Sequence, residues 1–301
     1  MTNTVFQDFD CDLCGSPDAA EIEVTRHYGT GGPIHVCKNC GFVYVRRRRT
    51  ADSIADEWSD GIYQKGYTAR FPGVKARQTY VADFIDSSLG LNGKTVCDIG
   101  AGEGRFLEII EREHGAKAFA IEPSKANCRM MEDSGIEIFA GTIEDFQASA
   151  LAGKRAFDLA TIVWTLENCQ SCRFMLDAAH DVLKDDGYLA VATGSRILVP
   201  FKKPMHYYLG SLDPTTDYHV TSQHMDTHAF RFSANTMQGL FAVSGFEVTH
   251  VNRYIDTDYL VVIGRKIGRS RDIRWQGDDW RAVIDHFERW HKDTQNHFKD
   301  A

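Results

Sequence analysis

Short apolar runs bounded by glycines and acidic residues alternate with helix-spaced apolar stripes through the middle of this 301-residue chain. Thr95–Ile99 is an apolar run of strand length, and Phe106, Leu107, Ile109 and Ile110 follow at helical spacing. Ala118–Ile121 predicts the next strand. Upstream, Tyr80, Val81, Phe84 and Ile85 form a helical stripe within a connecting cap over residues 51–91. Downstream, Trp280, Val283, Ile284, Phe287 and Trp290 give residues 275–298 the spacing of an amphipathic helix. That helix has two candidate partners, the domain itself or a second copy of the chain, so a homo-oligomer through it is one expectation.

The first strand leads into Gly100, Ala101, Gly102 and Gly104, with Asp98 just before the bend. Glycines serve where the backbone turns sharply and where a ligand must touch the main chain without a Cβ in the way. A dinucleotide-binding loop places its third glycine one residue later and aims a helix N-terminus at a pyrophosphate. A carboxylate at Asp98 suits a cation instead. S-adenosylmethionine (SAM) carries an ammonium and a sulfonium and no phosphate, so it fits this loop electrostatically. Glu122, with Pro123 behind it, ends the second strand about 24 residues after Asp98, where βαβ nucleotide sites carry a ribose-binding acid. Asp98, Gly100, Ala101, Gly102, Glu122 and Pro123 are therefore candidate cofactor-binding residues.

With these motifs the chain resembles the class I SAM-dependent methyltransferases. The resemblance continues in FAGTIEDF (139–146), FDLATIVWTLEN (157–168) and LKDDGYLAVAT (183–193), and covers residues 92–265. It implies an α/β fold: a Rossmann-like seven-stranded sheet with helices on both faces and an antiparallel last strand, with GFEVTHV and DYLVVIGRK as the final strands. It also implies that the backbone near Thr142 and Ile143 lies against adenine and that Trp164, in the loop beyond strand four, lines the cofactor.

Four of the eight cysteines form two CxxC knuckles, Cys11/Cys14 and Cys37/Cys40, at zinc-ribbon spacing. A segment this small has little core of its own, and a metal would supply folding energy. Two redox pairs or disulfides are the alternative. Four thiolates fill the shell of a Zn²⁺ ion and leave no position for activated water, so the zinc is expected to be structural. Cys169 and Cys172 form a further CxxC without a matching pair. The expected division is a ribbon over 1–50, the cap over 51–91, the methyltransferase domain over 92–265 and a C-terminal helical tail over 266–301.

Chemistry beyond the donor is expected in Gly194–Ser233, far longer than the usual α/β connection and at the edge where such sheets bind ligands. It carries Lys202, Lys203, His206, Tyr207, Tyr208, His219, His224 and His228. Histidine titrates near neutrality, which makes His228 the first candidate base, with His224 and His219 behind it. Tyr63 and Tyr67 are read two ways: closing over the methionine end of the cofactor, or packing the cap. Thr227–Phe246 resembles bacterial methyltransferases with an N-terminal four-cysteine module, including deoxysugar C-methyltransferases. Thr227 replaces an acid found before the histidine in those relatives, and Asn168 stands where many have histidine.

Composition narrows the partners. A net charge of −8 counts against a polyanionic partner, although Arg46–Arg49 could contact phosphate if it is more than a solvated or ion-paired run. No apolar run reaches bilayer length, and the N-terminus lacks a basic start and apolar core, so no membrane partner and a cytoplasmic location are expected. The leading expectation is methyl transfer from SAM to a small-molecule acceptor: a sugar, sugar nucleotide or natural-product intermediate. An RNA methyltransferase using the ribbon as a clamp and a non-catalytic scaffold are the alternatives.

Overall fold

The computed structural model describes residues 6–28, 33–58, 72–194, 228–252, 259–269 and 274–299. Tyr63, Tyr67, His219 and His224 lie outside these residues, as do Lys202, Lys203, His206, Tyr207 and Tyr208. Strands β1 (Phe6–Asp8), β2 (Ala19–Glu21), β3 (Ile34–Cys37), β4 (Val43–Val45) and β5 (Arg47–Arg49) build the N-terminal module. Helices α1 (Ala51–Glu57) and α2 (Pro72–Leu89) follow. Then come β6 (Thr95–Ile99), α3 (Arg105–His114), β7 (Lys117–Glu122), α4 (Lys125–Asp133), β8 (Glu137–Ala140), α5 (Ile143–Ala148), β9 (Phe157–Val163), α6 (Cys172–Val182) and β10 (Leu183–Thr193). The chain ends with β11 (Phe230–Arg231), α7 (Ala234–Val243), β12 (Phe246–Val251), β13 (Leu260–Lys266) and α8 (Trp280–Lys299).

Seven strands form one sheet in the order β12-β13-β10-β9-β6-β7-β8, as the resemblance implies. Only β13 runs against its neighbours. From β6 the chain steps outward through β7 and β8, then returns to place β9 on the other side of β6. This reversal opens a crevice beyond the carboxyl ends of β6 and β9. Central strands buried on both faces explain the unbroken apolar runs: Val96, Cys97, Leu159, Ala160, Leu189 and Val191 are each at most 1% exposed. On one face Val81 and Ile85 of α2 meet Phe106, Leu107 and Ile110 of α3. On the other, Phe146, Leu176 and Phe241 pack with Leu13, Phe42 and Tyr44 of the N-terminal module.

That shared core corrects the expectation of a module with little core. Ile22, Ile34, Val36, Val43 and Val45 bury a second apolar face, covered by Val283 and Phe287 of α8. The tail helix thus packs within the chain. It starts at Trp280 rather than Trp275 because the preceding residues serve the ribbon. The Asp278 amide donates to the Cys40 carbonyl at 3.0 Å, and a Cβ at Gly277 would lie 2.5 Å from that same oxygen. Strand β11, expected inside the acceptor-covering segment, instead joins the ribbon sheet beside β4, pairing Phe230 with Tyr44. Its ring lies 6.0 Å from that of Phe42.

Arg48 corrects the reading of Arg46–Arg49 as a solvated run. Strand alternation turns Arg48 inward between the less buried Arg47 and Arg49. Its guanidinium sits between the rings of Phe9 and Phe230, at 4.1 and 4.6 Å. It pairs with Asp12, inside the first knuckle, at 2.7 Å. The other oxygen of Asp12 accepts from the Ser171 hydroxyl at 2.8 Å, which ties the knuckle to the start of α6. Among the described residues no helix is long and apolar enough to cross a membrane.

Removing one partner of a buried pair strands the other charge, at a cost of about 3–5 kcal/mol. Asp12→Ala should therefore lower the urea midpoint strongly, and Asp12→Ala with Arg48→Met should recover part of the loss. Asp18→Ala, which removes the exposed pair with Lys38, should cost no more than about 1 kcal/mol. Equal midpoints for Asp12→Ala and Asp18→Ala would contradict this account.

Candidate active site

The glycine loop is shaped by contact as much as by turning. Gly100 has φ +78°, and a Cβ there would lie 2.4 Å from Thr165 Cγ2. The Thr165 hydroxyl donates to the Gly100 carbonyl at 3.1 Å, so the loop after β9 rests directly on the loop after β6. Gly104, at φ +75°, lets α3 begin against Met131, whose Cγ lies 2.4 Å from the site of a Cβ. Both positions need glycine for its conformation and its size. The sequence reading reserved that space for ligand; at Gly100 and Gly104 protein side chains occupy it.

Glu122 holds this loop in place. One carboxylate oxygen accepts the Gly102 amide at 2.8 Å; the other accepts the Ser124 amide at 2.9 Å and Asn127 Nδ2 at 3.4 Å. Burial pushes its carboxyl above the ordinary range, while these donors favour the charged form. Asp98 is 2% exposed and lies beneath the loop, outside the set of residues lining the cleft. Burial raises its carboxyl to about 7; a 2.7 Å hydrogen bond from Thr161 opposes that rise and the charge of Glu122 adds to it.

The crevice divides into two adjoining compartments. The first is walled by Ile99, Ile121, Glu122, Pro123, Thr142 and Ile143, together with Ile54 and Ala55 of α1. Thr142 caps α5: its hydroxyl accepts the Asp145 amide, and Asp145 accepts the Thr142 amide in return. An apolar slot ending in a carboxylate suits a flat base joined to a diol. The second compartment is polar. Ala101, Gly102 and Glu103 of the loop face Arg77 and Gln78 of α2, Glu167, and the two residues that bracket the long segment, Gly194 and His228. Trp58, Gly100, Trp164, Thr165 and Asn168 border both compartments.

The structure thus gathers Gly100, Ala101, Gly102, Glu122, Pro123, Thr142, Ile143, Trp164 and His228 around one crevice. Trp164 holds a left-handed backbone, φ 58°, unusual for a bulky residue and a form of strain that clusters at functional sites. The Arg77 guanidinium lies 5.6 Å from its ring centre and the Tyr259 ring 5.7 Å from it.

Sequence reading missed Trp58, Arg77 and Glu167. Glu167 had a readable signal: an acid three residues beyond the β9–Trp164 boundary, at the ligand-binding edge of the sheet. Its side chain is 1% exposed, and one carboxylate oxygen accepts the Gly194 amide at 3.3 Å. Burial raises its carboxyl, and the charge of nearby His228 opposes the rise.

Outside the residues that line the crevice, Cys11, Cys14, Cys37 and Cys40 place their sulfurs within 4.8 Å of one another. The pairs Cys11–Cys40 and Cys14–Cys37 stand at 3.6 and 3.5 Å. Each knuckle turns through a left-handed glycine, Gly15 and Gly41, whose amides donate to the carbonyls of Cys11 and Cys37. Cys169 and Cys172 are buried, and Cys169 lines the first compartment.

Comparison with known proteins agrees with this geometry. A ubiquinone biosynthesis O-methyltransferase of Cupriavidus pinatubonensis is 26% identical over 200 residues, 60% of this chain and 77% of that protein. One from Xylella fastidiosa is 29% identical over 124 residues, 40% of this chain; the match spans about half the length of that relative, 49%. Among solved structures, a SAM-dependent methyltransferase from Thermotoga maritima superimposes with a TM-score of 0.53 at 18% identity, over 71% of this chain and 99% of that one. A 1,6-didemethyltoxoflavin-N1-methyltransferase from Burkholderia thailandensis, with bound 1,6-didemethyltoxoflavin and S-adenosylhomocysteine, gives 0.53 at 16% identity, over 75% and 96%. The methyltransferase-domain family matches residues 74–251, more than half of the chain. The chain belongs to that methyltransferase-domain family.

Proposed function

We propose that this enzyme methylates a small polar metabolite, of the sugar, sugar-nucleotide or natural-product class, at the junction of the two compartments. The observation that carries the reading is the wall of Gly100, Trp164 and Thr165 that both compartments share. The first compartment would take the adenosine of SAM, with Glu122 toward the ribose and Thr142 and Ile143 against the base. Asp98, buried below the loop, would act through its field on the cationic end rather than by contact. When bound, SAM supplies a methyl group on a sulfonium that leaves as a neutral thioether.

The protein's work is alignment and proton handling. A hydroxyl, amine or activated carbon of the acceptor gains the methyl, the sulfur keeps the electron pair of the broken bond, and the acceptor's proton must go elsewhere. His228, on the wall of the polar compartment, is the candidate recipient. One of the solved structures named above, a 1,6-didemethyltoxoflavin-N1-methyltransferase, holds bound 1,6-didemethyltoxoflavin, in keeping with an acceptor of that size. An RNA clamp on the ribbon is disfavoured: Arg48 is buried with Asp12, Arg46 pairs with Asp10, and Arg47 lies over Phe6. The expected cytoplasmic location accords with this substrate class.

The four-cysteine cluster would hold a structural zinc. Tetrahedral Zn–S bonds of 2.3 Å require sulfurs about 3.8 Å apart, close to the observed pairs. The metal would brace a ribbon that carries β11 and faces α8, held by residues that do not line the crevice. Metal analysis should find about one zinc per chain, and chelation should lower the unfolding temperature without displacing S-adenosylhomocysteine. Protein purified under reducing conditions with no zinc would remove this role.

Incubation with methyl-labelled SAM and fractionated small metabolites, followed by mass spectrometry, tests the acceptor class. Label should enter a small polar compound, and His228→Gln should slow that transfer by about 10²-fold or more while binding S-adenosylhomocysteine normally. Label entering RNA alone would overturn the reading.

A further inference from the structure

We propose that Glu167 and His228 form a carboxylate–histidine pair, in which Glu167 is a positioning residue that orients the imidazole and supports its charged form. The role deepens the reading of the crevice as a methyl-transfer site and rests on it.

Three observations converge. First, the two side chains line the same polar compartment although 61 positions separate them in sequence. Their register is fixed by the backbone: the Ala229 amide, next after His228, donates to the Glu167 carbonyl at 2.8 Å. Arg231 Nη1 adds a 3.4 Å contact to the His228 carbonyl, holding the same short segment. Second, the Glu167 carboxylate has one oxygen left over. Oε1 takes the Gly194 amide at 3.3 Å and the Thr193 side chain also bonds the carboxylate, whereas Oε2 is buried with no hydrogen-bond partner among the described residues. A buried, unpaired carboxylate oxygen is costly unless a donor or a cation answers it. Third, His228 is the titratable cation whose charge acts most strongly to favour the ionised form of Glu167.

A carboxylate beside a histidine fixes which ring nitrogen bears the proton and stabilises the imidazolium formed when the acceptor gives up its proton. The other charged groups facing the compartment are Arg77 of α2, Glu103 of the glycine loop and Arg105 of α3. The two arginines would disfavour a charged imidazole and Glu103 would favour it; Glu167 is the acid whose own backbone is bonded to the residue after His228.

The test uses the full-length, zinc-loaded chain carrying ¹³C-labelled histidine, with the His228 signal identified by its loss in His228→Gln. Wild type and Glu167→Gln are titrated by NMR, and both are assayed calorimetrically with S-adenosylhomocysteine. The pH midpoint of the His228 signal should fall by about one unit in Glu167→Gln, a tenfold loss of proton affinity, as expected for removal of an adjacent opposite charge. Binding of S-adenosylhomocysteine should stay within about twofold of wild type, showing that the cleft remains folded. A midpoint unchanged within about 0.2 units would overturn the pair, since an opposite charge within about 4–6 Å shifts titration by more. Glu167→Asp should restore most of the wild-type midpoint, and failure to do so while Glu167→Gln lowers it would also count against a role for the charge. Wild-type protein that takes up no S-adenosylhomocysteine would instead defeat the reading of the crevice, an outcome separate from the titration.

Discussion

Two loops meet at Gly100, and the crevice exists because nothing larger than hydrogen stands between them. The Thr165 side chain occupies the space a Cβ would need and bonds the Gly100 carbonyl. This contact joins the carboxyl ends of β6 and β9, the point where strand order reverses, and makes one wall serve both compartments. Glu122 reinforces it from β7 by accepting the Gly102 amide. The same acid that faces the first compartment therefore also shapes the loop. The two compartments are held at a fixed separation by backbone packing, the kind of alignment on which a displacement at carbon would depend.

The N-terminal module is joined to this arrangement by burial. Arg48 lies between Phe9 and Phe230, and Asp12 links it both to a cysteine knuckle and to Ser171 at the head of α6. Because β11 belongs to the module's sheet and immediately follows His228, the position of the candidate base depends on the ribbon. Folding energy from a bound metal would in this way reach the polar compartment without the metal touching any reactant. Helix α8 closes the opposite face of the module, so the start and the end of the described chain support one small sheet.

Much of this was legible in sequence because it rests on local rules. The Thr95–Ile99 run, the glycine turn and the stripe of Phe106, Leu107, Ile109 and Ile110 specify strand, turn and helix through periodicity and backbone conformation alone. The cysteine knuckles are legible for the same reason, through short fixed spacing. What escaped depends on contacts between distant positions. Arg48 looked like part of a charged run because its partner, Asp12, lies across a fold of the ribbon. Glu167 went unread because His228, which lines the same compartment, arrives only after the long segment. Asp98 was read as a cofactor-binding acid beside the glycine turn, and the structure buries it outside the residues that line the crevice. Strand β11 has two residues and no periodicity to betray it.

The central claim is that the shared wall at Gly100 receives the methyl donor. Calorimetric titration with S-adenosylhomocysteine on three proteins tests it most directly: wild type, Gly100→Ala and Gly153→Ala. Gly153 has an equally left-handed backbone, φ +75°, but open space around it, so it controls for strain alone. Wild type and Gly153→Ala should bind alike, and Gly100→Ala should bind at least about tenfold more weakly because its methyl group collides with Thr165 and parts the two loops. Equal binding by all three, or none by wild type, would contradict the account.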